Sequence, residues 1–591
     1  MPERKTEQNK EMTKESKSKQ NSKPNNKIHN LILKYALHNA IKFKGKASPR
    51  AVLGKILAVK PELKKDMKFL TKAIDQAIKE INNLPLEKQI EELKKIAPEL
   101  LEEKPKKEEK RLPELKNAQK GKVIMRFEPS PSGPLHIGHA ITLGLNALYC
   151  KKYNGKLILR IADTNPENID VESYDMIIND AKWLLSELLP NFEIYIQSER
   201  LGYYYDYAEK LISMEKAYVC TCNPDEFRTL LFKSQPCPCR NLPKEEHLKR
   251  WDKMFVEYKP GEAVVRIKTD LSHKNPAIRD WAALRICEKP HPKNKDARVW
   301  PLMNFSVAID DMLMGVTHTI RGKDHQDNAE KQSYVFNYFN KTPPTNIFIG
   351  RINFVDLELS ASKTRKLIEY GEFEGWSDIR LPFLAALRRR GYQPNAFIKL
   401  SESFGISKHD KLVDAKEFYK ILNAFNKDII DPKANRYFFV PDPILIEIKG
   451  TPEKEVEINF HPDFPERGTR KFRTKGKFYL WKDDFNKIEE GNLYRLMDCL
   501  NFKKQNNEFI FDSEDYEKYK KEGKGIFHWL PAEEELVNVE LLMPNKTSLK
   551  GVGENSLKNV EVNTVVQLER IGFARLDSKQ KEKLIFWFAH K

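Results

Sequence analysis

The chain has 591 residues, which is too long for one hydrophobic core and predicts three to five domains. Lysine and arginine number 103 against 85 aspartates and glutamates, so the formal net charge is +18, and this excess favours a polyanionic partner such as nucleic acid. The sequence contains no apolar run of about 18 residues and no signal-peptide apolar core, a pattern that excludes membrane-spanning helices and predicts a soluble, cytoplasmic protein.

The first part of the chain changes from polar to helical character. Residues 1–27 predict a disordered basic tail, because they contain too few apolar side chains to bury a core. Residues 28–110 predict a helical N-terminal domain, since apolar residues recur there at spacings of three and four. The expected helices cover 28–37, 49–59, 67–81 and 86–96, and a charged linker covers 104–110.

The central part, residues 120–375, alternates short apolar runs with helical segments, which is typical of a parallel α/β sheet. Residues 217–300 interrupt this alternation with many charges, four clustered cysteines and a strand-like run, and they predict an inserted subdomain. The expected strands cover 123–127, 156–160, 193–196 and 346–349 in the sheet and 263–267 in the insertion.

The last part of the chain is helical over 376–430 and rich in strands over 431–591. Many short strands separated by proline, glycine and asparagine predict β-barrels or a sandwich. The expected strands cover 437–440, 444–448, 456–460, 477–481, 537–542 and 584–588. The predicted fold class is therefore a multidomain protein with an α/β centre and a β-rich C-terminus.

Residues 126–139, Arg-Phe-Glu-Pro-Ser-Pro-Ser-Gly-Pro-Leu-His-Ile-Gly-His, join a strand to a helix through a short loop. Such a junction predicts a phosphate site, because free backbone N–H groups and the helix dipole point at the anion. Gly133 and Gly138 allow a close approach of the backbone to a ligand. His136 and His139 share one helix face, where they can donate to phosphate oxygens, although such a pair alone is also common on surfaces and in metal sites.

This segment resembles the first signature of the class I aminoacyl-tRNA synthetases, in the form that the glutamyl/glutaminyl branch carries. The resemblance implies a Rossmann-type catalytic domain with an inserted subdomain that binds the tRNA acceptor end. It also implies that His136 and His139 are catalytic and that Gly133, Pro134 and Gly138 bind ATP.

Residues 359–364, Leu-Ser-Ala-Ser-Lys-Thr, follow a strand-like run and predict a mobile loop that closes over a triphosphate. They resemble the second signature of the same family, Lys-Met-Ser-Lys-Ser. Ser362 and Lys363 match its inner pair, which implies that both bind ATP and that Lys363 is catalytic. Ser360 stands where the family has its first lysine, and with a gap in the match Lys366 is the alternative to Lys363.

The predicted selector of the amino acid is Arg321. It matches an arginine that faces the side-chain carboxylate in glutamyl enzymes, where glutaminyl enzymes have a cysteine. A guanidinium binds a carboxylate through two parallel hydrogen bonds and has no acceptor for an amide NH2. Arg126 would be a second guanidinium for the same carboxylate. The remaining residues expected to bind glutamate are Glu128, Ser130 and Asn304.

Two positions depart from the family's pocket pattern. Ala162 stands where an acidic residue usually holds the substrate amino group. Met303 stands where a tyrosine is common, within residues 300–311, which resemble the family's substrate-pocket strand. We expect Glu128 or Asn304 to compensate for these changes.

Residues 374–392, beginning Glu-Gly-Trp-Ser-Asp and ending Leu-Arg-Arg-Arg-Gly-Tyr, resemble a block shared by glutaminyl and archaeal or eukaryotic glutamyl synthetases. This resemblance implies C-terminal β-barrel domains that bind the anticodon, and the N-terminal helices weakly resemble the extension of archaeal glutamyl enzymes. Asp327 resembles a residue that reads the acceptor stem. Arg388, Arg389 and Arg390 are expected to contact tRNA phosphates, although a solvated basic helix end is the alternative.

Cys220, Cys222, Cys237 and Cys239 form two Cys-x-Cys pairs that are separated by fourteen residues. Four thiolates at this spacing predict a closed, structural zinc site, with buried free thiols as the alternative. The family often carries a similar site in its inserted subdomain.

Together, these resemblances imply a monomeric glutamate–tRNA ligase that uses ATP with Mg²⁺ and charges tRNA-Glu. Whether the enzyme also charges tRNA-Gln stays open at this point. One alternative is a glutamine–tRNA ligase, which Arg321 disfavours. The other is a non-catalytic RNA-binding paralogue, which the intact His136, His139 and Lys363 disfavour.

Overall fold

The structure, a computed structural model, describes residues 23–42, 45–100 and 112–591. The chain divides into two compact units, Met1–Arg111 and Leu112–Lys591. Residues 1–22 of the tail predicted for 1–27, and the linker predicted for 104–110, lie outside the described residues. None of the described helices combines the length and the apolar character that a bilayer crossing requires.

The first unit is helical. Its α-helices span Lys23–Lys42, Pro49–Val59, Met67–Asn82 and Leu86–Ile96, with short 3-10 helices at Pro61–Asp66 and Pro98–Leu100. The helices predicted over 49–59, 67–81 and 86–96 are confirmed. The prediction that disorder extends to residue 27 is wrong, because the first helix begins at Lys23.

The core of the first unit follows the helical spacing of its apolar residues. Ile74, Ala77 and Ile81 lie on one face of the third helix and are buried. The buried amide of Gln89 donates hydrogen bonds to three backbone carbonyls and so ties the fourth helix to the turns beside it.

A five-stranded parallel sheet forms the centre of the second unit. Its strands in spatial order are Glu193–Ile196, Lys156–Ile161, Ile124–Phe127, His318–Gly322 and Thr345–Ile349. The chain builds the sheet outward from Ile124–Phe127, first to one side and then to the other. This reversal leaves a crevice at the carboxyl ends of the strands Ile124–Phe127 and His318–Gly322, which we call the two central strands. Sheets of this kind bind ligands in such a crevice. The predicted parallel sheet is confirmed.

Five helices accompany the parallel sheet. They span Ile137–Tyr153, Glu172–Leu185, Leu201–Ser213, Met303–Leu313 and Gln326–Tyr338. The first of them follows the strand Ile124–Phe127 through the Pro/Ser/Gly loop, as the sequence predicted.

A separate antiparallel sheet interrupts the parallel one in chain order. Its four strands are Ala217–Cys220, Val264–Ile267, Ala282–Ile286 and Val299–Pro301, and helices Pro224–Phe232 and Lys244–Val256 lie within it in sequence. The strand predicted at 263–267 is confirmed.

A mostly helical region follows the parallel sheet. Its helices span Ala361–Glu369, Leu384–Arg389, Pro394–Phe404 and Ala415–Ile430, and strands Ile352–Phe354 and Lys411–Val413 pair in parallel. Backbone hydrogen bonds join this region to the 126–139 segment: Leu384 donates to the carbonyl of Leu135, and Ile137 donates to that of Pro382. The region therefore fixes the start of the helix Ile137–Tyr153.

Strands dominate the chain from residue 436 onward, which confirms the β-rich C-terminus. One seven-stranded sheet contains Arg436–Tyr437, Val565–Leu568, Gly572–Lys579, Lys583–His590, Leu536–Leu542, Ser548–Glu554 and Phe439–Pro441. The other contains Gly523–Phe527, Leu493–Leu496, Asn501–Gln505, Glu508–Ser513, Pro443–Lys449, Lys477–Trp481 and Leu530–Pro531. Lys454–Asn459 and Thr469–Thr474 form a hairpin, and short helices span Lys482–Phe485 and Tyr516–Glu522.

Candidate active site

A cavity of about 600 Å³ opens at the carboxyl ends of the two central parallel strands. The strand Ile124–Phe127 contributes Arg126 at its end, and the strand His318–Gly322 contributes Arg321. The other lining residues used below are Glu128, Ser130, Ala162, Gln197, Met303, His325 and Gln332. The structure therefore brings together four of the five residues that were predicted to bind glutamate, in a space of the size that small ligands need.

His136 and His139 cap the helix Ile137–Tyr153. Nδ1 of His136 accepts from the backbone N–H groups of Gly138 (3.1 Å) and His139 (3.3 Å), and Nδ1 of His139 accepts from the N–H of His136 (3.5 Å). The two rings stack with their centroids 3.7 Å apart. Because both Nδ1 atoms accept, each neutral ring carries its proton on Nε2 and presents a donor.

The environment keeps both histidines neutral near pH 7. Burial, and then the neighbouring His139, lower the pKa of His136 well below its usual value. Burial lowers the pKa of His139 to about 4. The pair therefore offers neutral N–H donors at the helix N-terminus, where an anion is favoured.

The two signature segments touch at a glycine. A Cβ on Gly133 would lie 2.6 Å from the Cβ of Ala361, so a larger residue at 133 would push the segments apart. Pro134 is buried beside Gly133. Gly138 packs against the ring of His136, since a Cβ at position 138 would lie 3.0 Å from Cε1 of that histidine.

The second signature segment is the start of a helix. Ser362 and Lys363 lie in the first turn of Ala361–Glu369, and the side chain of Ser360 accepts from the N–H of Lys363 at 3.4 Å. The prediction of a loop at these two positions is therefore wrong. Nζ of Lys363 is exposed and lies 3.0 Å from a carboxylate oxygen of Glu358, from which it can be released to an anionic ligand. Lys366 is exposed on the same helix.

Arg365 connects this helix to the first signature. Its guanidinium donates to the carbonyl oxygen of Ser132 and lies 3.2 Å from a carboxylate oxygen of Asp170. No role for Arg365 was predicted from the sequence, and the structure shows that it links the two segments.

Arg126 is already neutralised by protein carboxylates. Its Nε donates to Asp311 at 2.9 Å and its Nη2 donates to the same carboxylate at 3.3 Å, while Nη1 lies 3.3 Å from Glu128. Arg160 is fully buried and pairs with Asp311 at 2.7 Å and with Glu128 at 3.1 Å. Arg126 therefore belongs to a buried ion-pair network on the floor of the cavity.

Arg321 differs from Arg126 in its partners. Its Nη1 donates to the side-chain oxygen of Gln332 at 3.1 Å, and no ion pair joins it to a carboxylate in the described part of the chain. Burial, and then the neighbouring Arg126, lower the pKa of Arg321 to about 10, so it remains a cation near pH 7. It is only 9% exposed, and a buried cation without an anionic partner is a site for an anion.

The charges around the cavity leave one positive charge in excess. Asp310 pairs with Arg200 at 2.8 Å and lies 3.8 Å from Arg160, which extends the network. The cluster then holds four guanidinium groups and three carboxylates: Arg126, Arg160, Arg200 and Arg321 with Glu128, Asp310 and Asp311. One added carboxylate makes the cluster neutral.

The segment predicted as a pocket strand is mainly helical. The strand Val299–Pro301 ends at the cavity, which Pro301 helps to line, and Met303 and Asn304 lie in the first turn of the helix Met303–Leu313. The strand prediction is therefore wrong for residues 303–311. The oxygen of Asn304 accepts from Gln332 and its nitrogen donates to Asn328, both at 3.1 Å, so its hydrogen bonds are made within the protein.

Comparison with known proteins identifies the family. Residues 122–432 match the model of tRNA synthetases class I (E and Q), catalytic domain, and residues 434–520 and 526–577 match two anticodon-binding domain models of the same family. The chain belongs to the E and Q family of class I tRNA synthetases.

Two of the similar proteins align with nearly the whole of this chain. A glutamate–tRNA ligase of Methanothermobacter thermautotrophicus is 46% identical over 94% of this chain and 98% of its own. One of Pyrococcus furiosus is 45% identical over 95% of this chain and 99% of its own. A solved glutamate tRNA ligase of Elizabethkingia meningosepticum covers 53% of this chain and 70% of its own, at 21% identity and a TM-score of 0.38.

The four clustered cysteines of the synthetase converge. The sulfur atoms of Cys220, Cys222 and Cys237 lie within 4.8 Å of one another, and that of Cys239 lies 3.6 Å from Cys222. The sulfurs of Cys220 and Cys237 are 3.9 Å apart. Four sulfurs around a tetrahedral zinc ion, at about 2.3 Å each, lie about 3.8 Å from one another. The spacing of Cys220, Cys222 and Cys237 therefore suits zinc ligands, and Cys239, beside Cys222, is the candidate for the fourth.

The structure separates the residues that were predicted to bind tRNA. Arg388 is exposed, whereas Arg390 is buried and donates to the carbonyls of Phe588 and Ala589 in the last strand. The phosphate prediction is wrong for Arg390, because its donors are used against the C-terminal sheet. Arg389 pairs with Asp577 at 2.7 Å.

Asp327 keeps an exposed position in the synthetase. It lies in the first turn of the helix Gln326–Tyr338, and one carboxylate oxygen accepts from Asn275 at 2.9 Å. That contact joins the helix to the loop of the inserted segment.

Sequence reasoning missed Arg160, Asp310, Asp311 and Gln332. Arg160 interrupts an apolar strand, and Asp310 and Asp311 interrupt an apolar helix, so a buried charge in each case was readable from the pattern. Gln332 gave no such signal, because its helix has a mixed and mostly polar sequence.

Proposed function

We propose that the chain is a glutamate–tRNA ligase. In the first step the α-carboxylate of glutamate attacks the α-phosphate of ATP, the bond to pyrophosphate breaks, and glutamyl-adenylate forms. In the second step the 2′-hydroxyl of the terminal tRNA adenosine takes the acyl group and AMP leaves. The observation that carries the proposal is Arg321, a buried guanidinium that lacks a carboxylate partner in the described part of the chain.

Selection of glutamate over glutamine follows from this charge. The side-chain carboxylate of glutamate offers hydrogen-bond acceptors to Arg321. Its negative charge also balances the one positive charge that the cluster has in excess. The amide of glutamine would place an N–H group against a donor and would leave Arg321 uncompensated. The similar proteins named glutamate–tRNA ligase support the same substrate.

Adenylate formation in this proposal depends on positioning and charge stabilisation, without a protein nucleophile. The Nε2–H groups of His136 and His139 donate to the ATP phosphates at the N-terminus of their helix. Lys363 leaves Glu358 to stabilise the charge on the departing pyrophosphate. Mg²⁺, bound with ATP, supplies further neutralisation of the triphosphate.

Glu128 and Ser130 line the cavity and are the proposed contacts to the substrate amino group, because Asn304 makes its hydrogen bonds elsewhere. Arg126 acts through the ion-pair network, since two carboxylates already engage it. For tRNA, Asp327 and Arg388 are the proposed contacts, with Arg389 supporting the C-terminal sheet.

We assign the parts of the chain as follows. The N-terminal helical domain, predicted over 28–110, includes the helix that begins at Lys23. Residues 120–375 are the catalytic domain with insertion 217–300, 376–430 the stem-contact region and 431–591 the anticodon-binding domains. A structural zinc ion held by Cys220, Cys222, Cys237 and Cys239 stabilises the insertion. A monomeric state, a cytoplasmic location and the charging of tRNA-Gln stay predictions.

The test is aminoacylation of purified tRNA-Glu and tRNA-Gln with labelled glutamate and labelled glutamine. The proposal expects glutamate to be attached to tRNA-Glu, and attachment of glutamate to tRNA-Gln would identify a non-discriminating enzyme. Attachment of glutamine in preference to glutamate would favour the glutaminyl alternative. RNA binding without any charging would favour the non-catalytic paralogue.

A further inference from the structure

A chain of side-chain hydrogen bonds starts at Arg321 and returns to the same cavity. Arg321 donates to Gln332 at 3.1 Å, and Gln332 donates to Asn304 at 3.1 Å. Asn304 donates to Asn328 at 3.1 Å, and Asn328 meets Nδ1 of His325 at 3.0 Å. Arg321, Gln332 and His325 all line the cavity, so both ends and one interior member of the chain face it.

The direction of this chain is fixed by its first member. A guanidinium has only donors, so the side-chain oxygen of Gln332 must face Arg321 and its NH2 group must face Asn304. The same reasoning orients Asn304 and then Asn328, and it leaves Nδ1 of His325 as an acceptor. A neutral His325 then carries its proton on Nε2.

We propose that Gln332 is a positioning residue, which orients the Arg321 guanidinium toward the substrate carboxylate and gives the cavity wall a donor face that favours glutamate over glutamine. This inference rests on the proposed function. Gln332 is only 6% exposed and binds Arg321 directly, so it restricts the rotation of a long side chain that no carboxylate holds in the described structure. A pre-oriented guanidinium loses less entropy when the substrate binds.

The series of hydrogen bonds also explains why this wall of the cavity would prefer a carboxylate to an amide. The oxygen of Gln332 is used by Arg321, so the acceptor that an amide substrate would need is already occupied. Within this series of hydrogen bonds, the groups left to face a ligand are N–H donors of Arg321, of Gln332 and, at Nε2, of His325. A carboxylate satisfies these donors, whereas an amide NH2 is repelled by them.

The test compares three variants in pyrophosphate exchange with tRNA present, over a range of glutamate and of ATP concentrations. Gln332→Met keeps the size of the side chain and removes both hydrogen bonds, and we expect the KM for glutamate to rise about tenfold, as for the loss of one hydrogen bond to a charged group. Gln332→Glu should raise it further, because the new carboxylate pairs with Arg321. The KM for ATP should change by less than about twofold in both variants, because the ATP contacts lie elsewhere. Asn337→Ala, an exposed amide on the same helix, is the matched control and should leave both KM values unchanged.

A second comparison separates positioning from general support of the fold. In an Arg321→Met background, Gln332→Met should add almost nothing to the loss, because Gln332 acts through Arg321. An equal loss in both backgrounds, or a wild-type KM for glutamate in Gln332→Met and Gln332→Glu, would overturn the inference while leaving a wild-type preference for glutamate intact. A wild-type enzyme that prefers glutamine would overturn the proposed function and this inference together.

Discussion

Gly133 and Ala361 meet so closely that a Cβ on the glycine would lie 2.6 Å from the Cβ of the alanine. The contact joins the first signature loop to the helix that carries Lys363. The contact therefore keeps side by side the two segments that we propose as the ATP-binding elements. The hydrogen bond from Arg365 to the Ser132 carbonyl supports the same arrangement.

Gly133→Ala should therefore separate the two signatures. The added methyl group enters a packed contact, so we expect a loss of stability of about 1–3 kcal/mol and a larger loss of kcat in pyrophosphate exchange. Gly202→Ala is the matched control, because Gly202 lies in a helix and a Cβ there meets no atom within 4 Å. Equal activity of the two variants would show that the contact does not matter for adenylate formation.

The histidine pair makes stability depend on pH in a defined direction. In the folded chain the pKa of His139 is about 4, and that of His136 lies well below its usual value. In the unfolded chain both histidines have pKa values near the usual value of histidine. The unfolded state therefore binds protons first as the pH falls, and stability is lost between about pH 6.5 and 4. His139→Gln should reduce this pH dependence, as measured by urea unfolding at several pH values. A slope identical to that of the wild type would contradict the assignment of low pKa values to the two histidines.

Asp180 anchors the first signature from behind. Its buried carboxylate accepts from the N–H of Leu135 at 3.0 Å, and burial raises its pKa to about 7. Because the folded pKa lies above the unfolded one, stability falls as the pH rises from about 4 to 7. Asp180→Asn keeps an acceptor for Leu135 and removes this loss, so it should raise the unfolding free energy at pH 8 by about 4 kcal/mol and change it little at pH 4. Asp175→Asn, an exposed change on the same helix, should show no such difference between the two pH values.

The cysteine cluster predicts one zinc ion per chain. Cys222→Ser should lower the zinc content measured by elemental analysis and destabilise the inserted segment toward proteolysis. Cys150→Ala removes a buried thiol outside the cluster and should leave the zinc content unchanged. Purified wild-type protein without zinc would contradict this assignment.

Two neighbouring arginines should affect tRNA binding differently. Arg388→Ala removes an exposed charge, so it should weaken tRNA binding. The slope of the logarithm of affinity against the logarithm of salt concentration should fall by about 1, as for the loss of one phosphate contact. Arg390→Ala removes buried hydrogen bonds to the last strand, so it should lower the unfolding temperature without changing the salt dependence. A reduced salt dependence in Arg390→Ala would restore that residue as a phosphate contact.

The spacing of apolar residues along the chain predicted the parallel sheet and most helices and strands, because the residues that each element buries recur with the period of that element. The partners of individual charges were not predictable in this way. Arg126 and Asp311 are 185 residues apart in sequence, and their pairing depends on the fold of the whole unit. The same holds for Arg390, whose carbonyl partners lie nearly 200 residues further along the chain.

The helix at Ser362 and Lys363 shows another limit of the sequence. The Ser/Lys composition predicted a loop, but Ser360 accepts from the N–H of Lys363 and starts a helix. Nor did the sequence show that Arg126 is neutralised and Arg321 is not, although this difference decides which guanidinium is available to a substrate.

The central claim is that Arg321 selects glutamate. The most direct test measures kcat/KM for glutamate and for glutamine in the wild type and in Arg321→Met, with tRNA present. We expect the wild type to prefer glutamate, and we expect the variant to lose about 100-fold or more in kcat/KM for glutamate, as for the removal of one partner of a buried charge pair, with little change for glutamine. A variant that keeps the wild-type kcat/KM for glutamate would contradict the account.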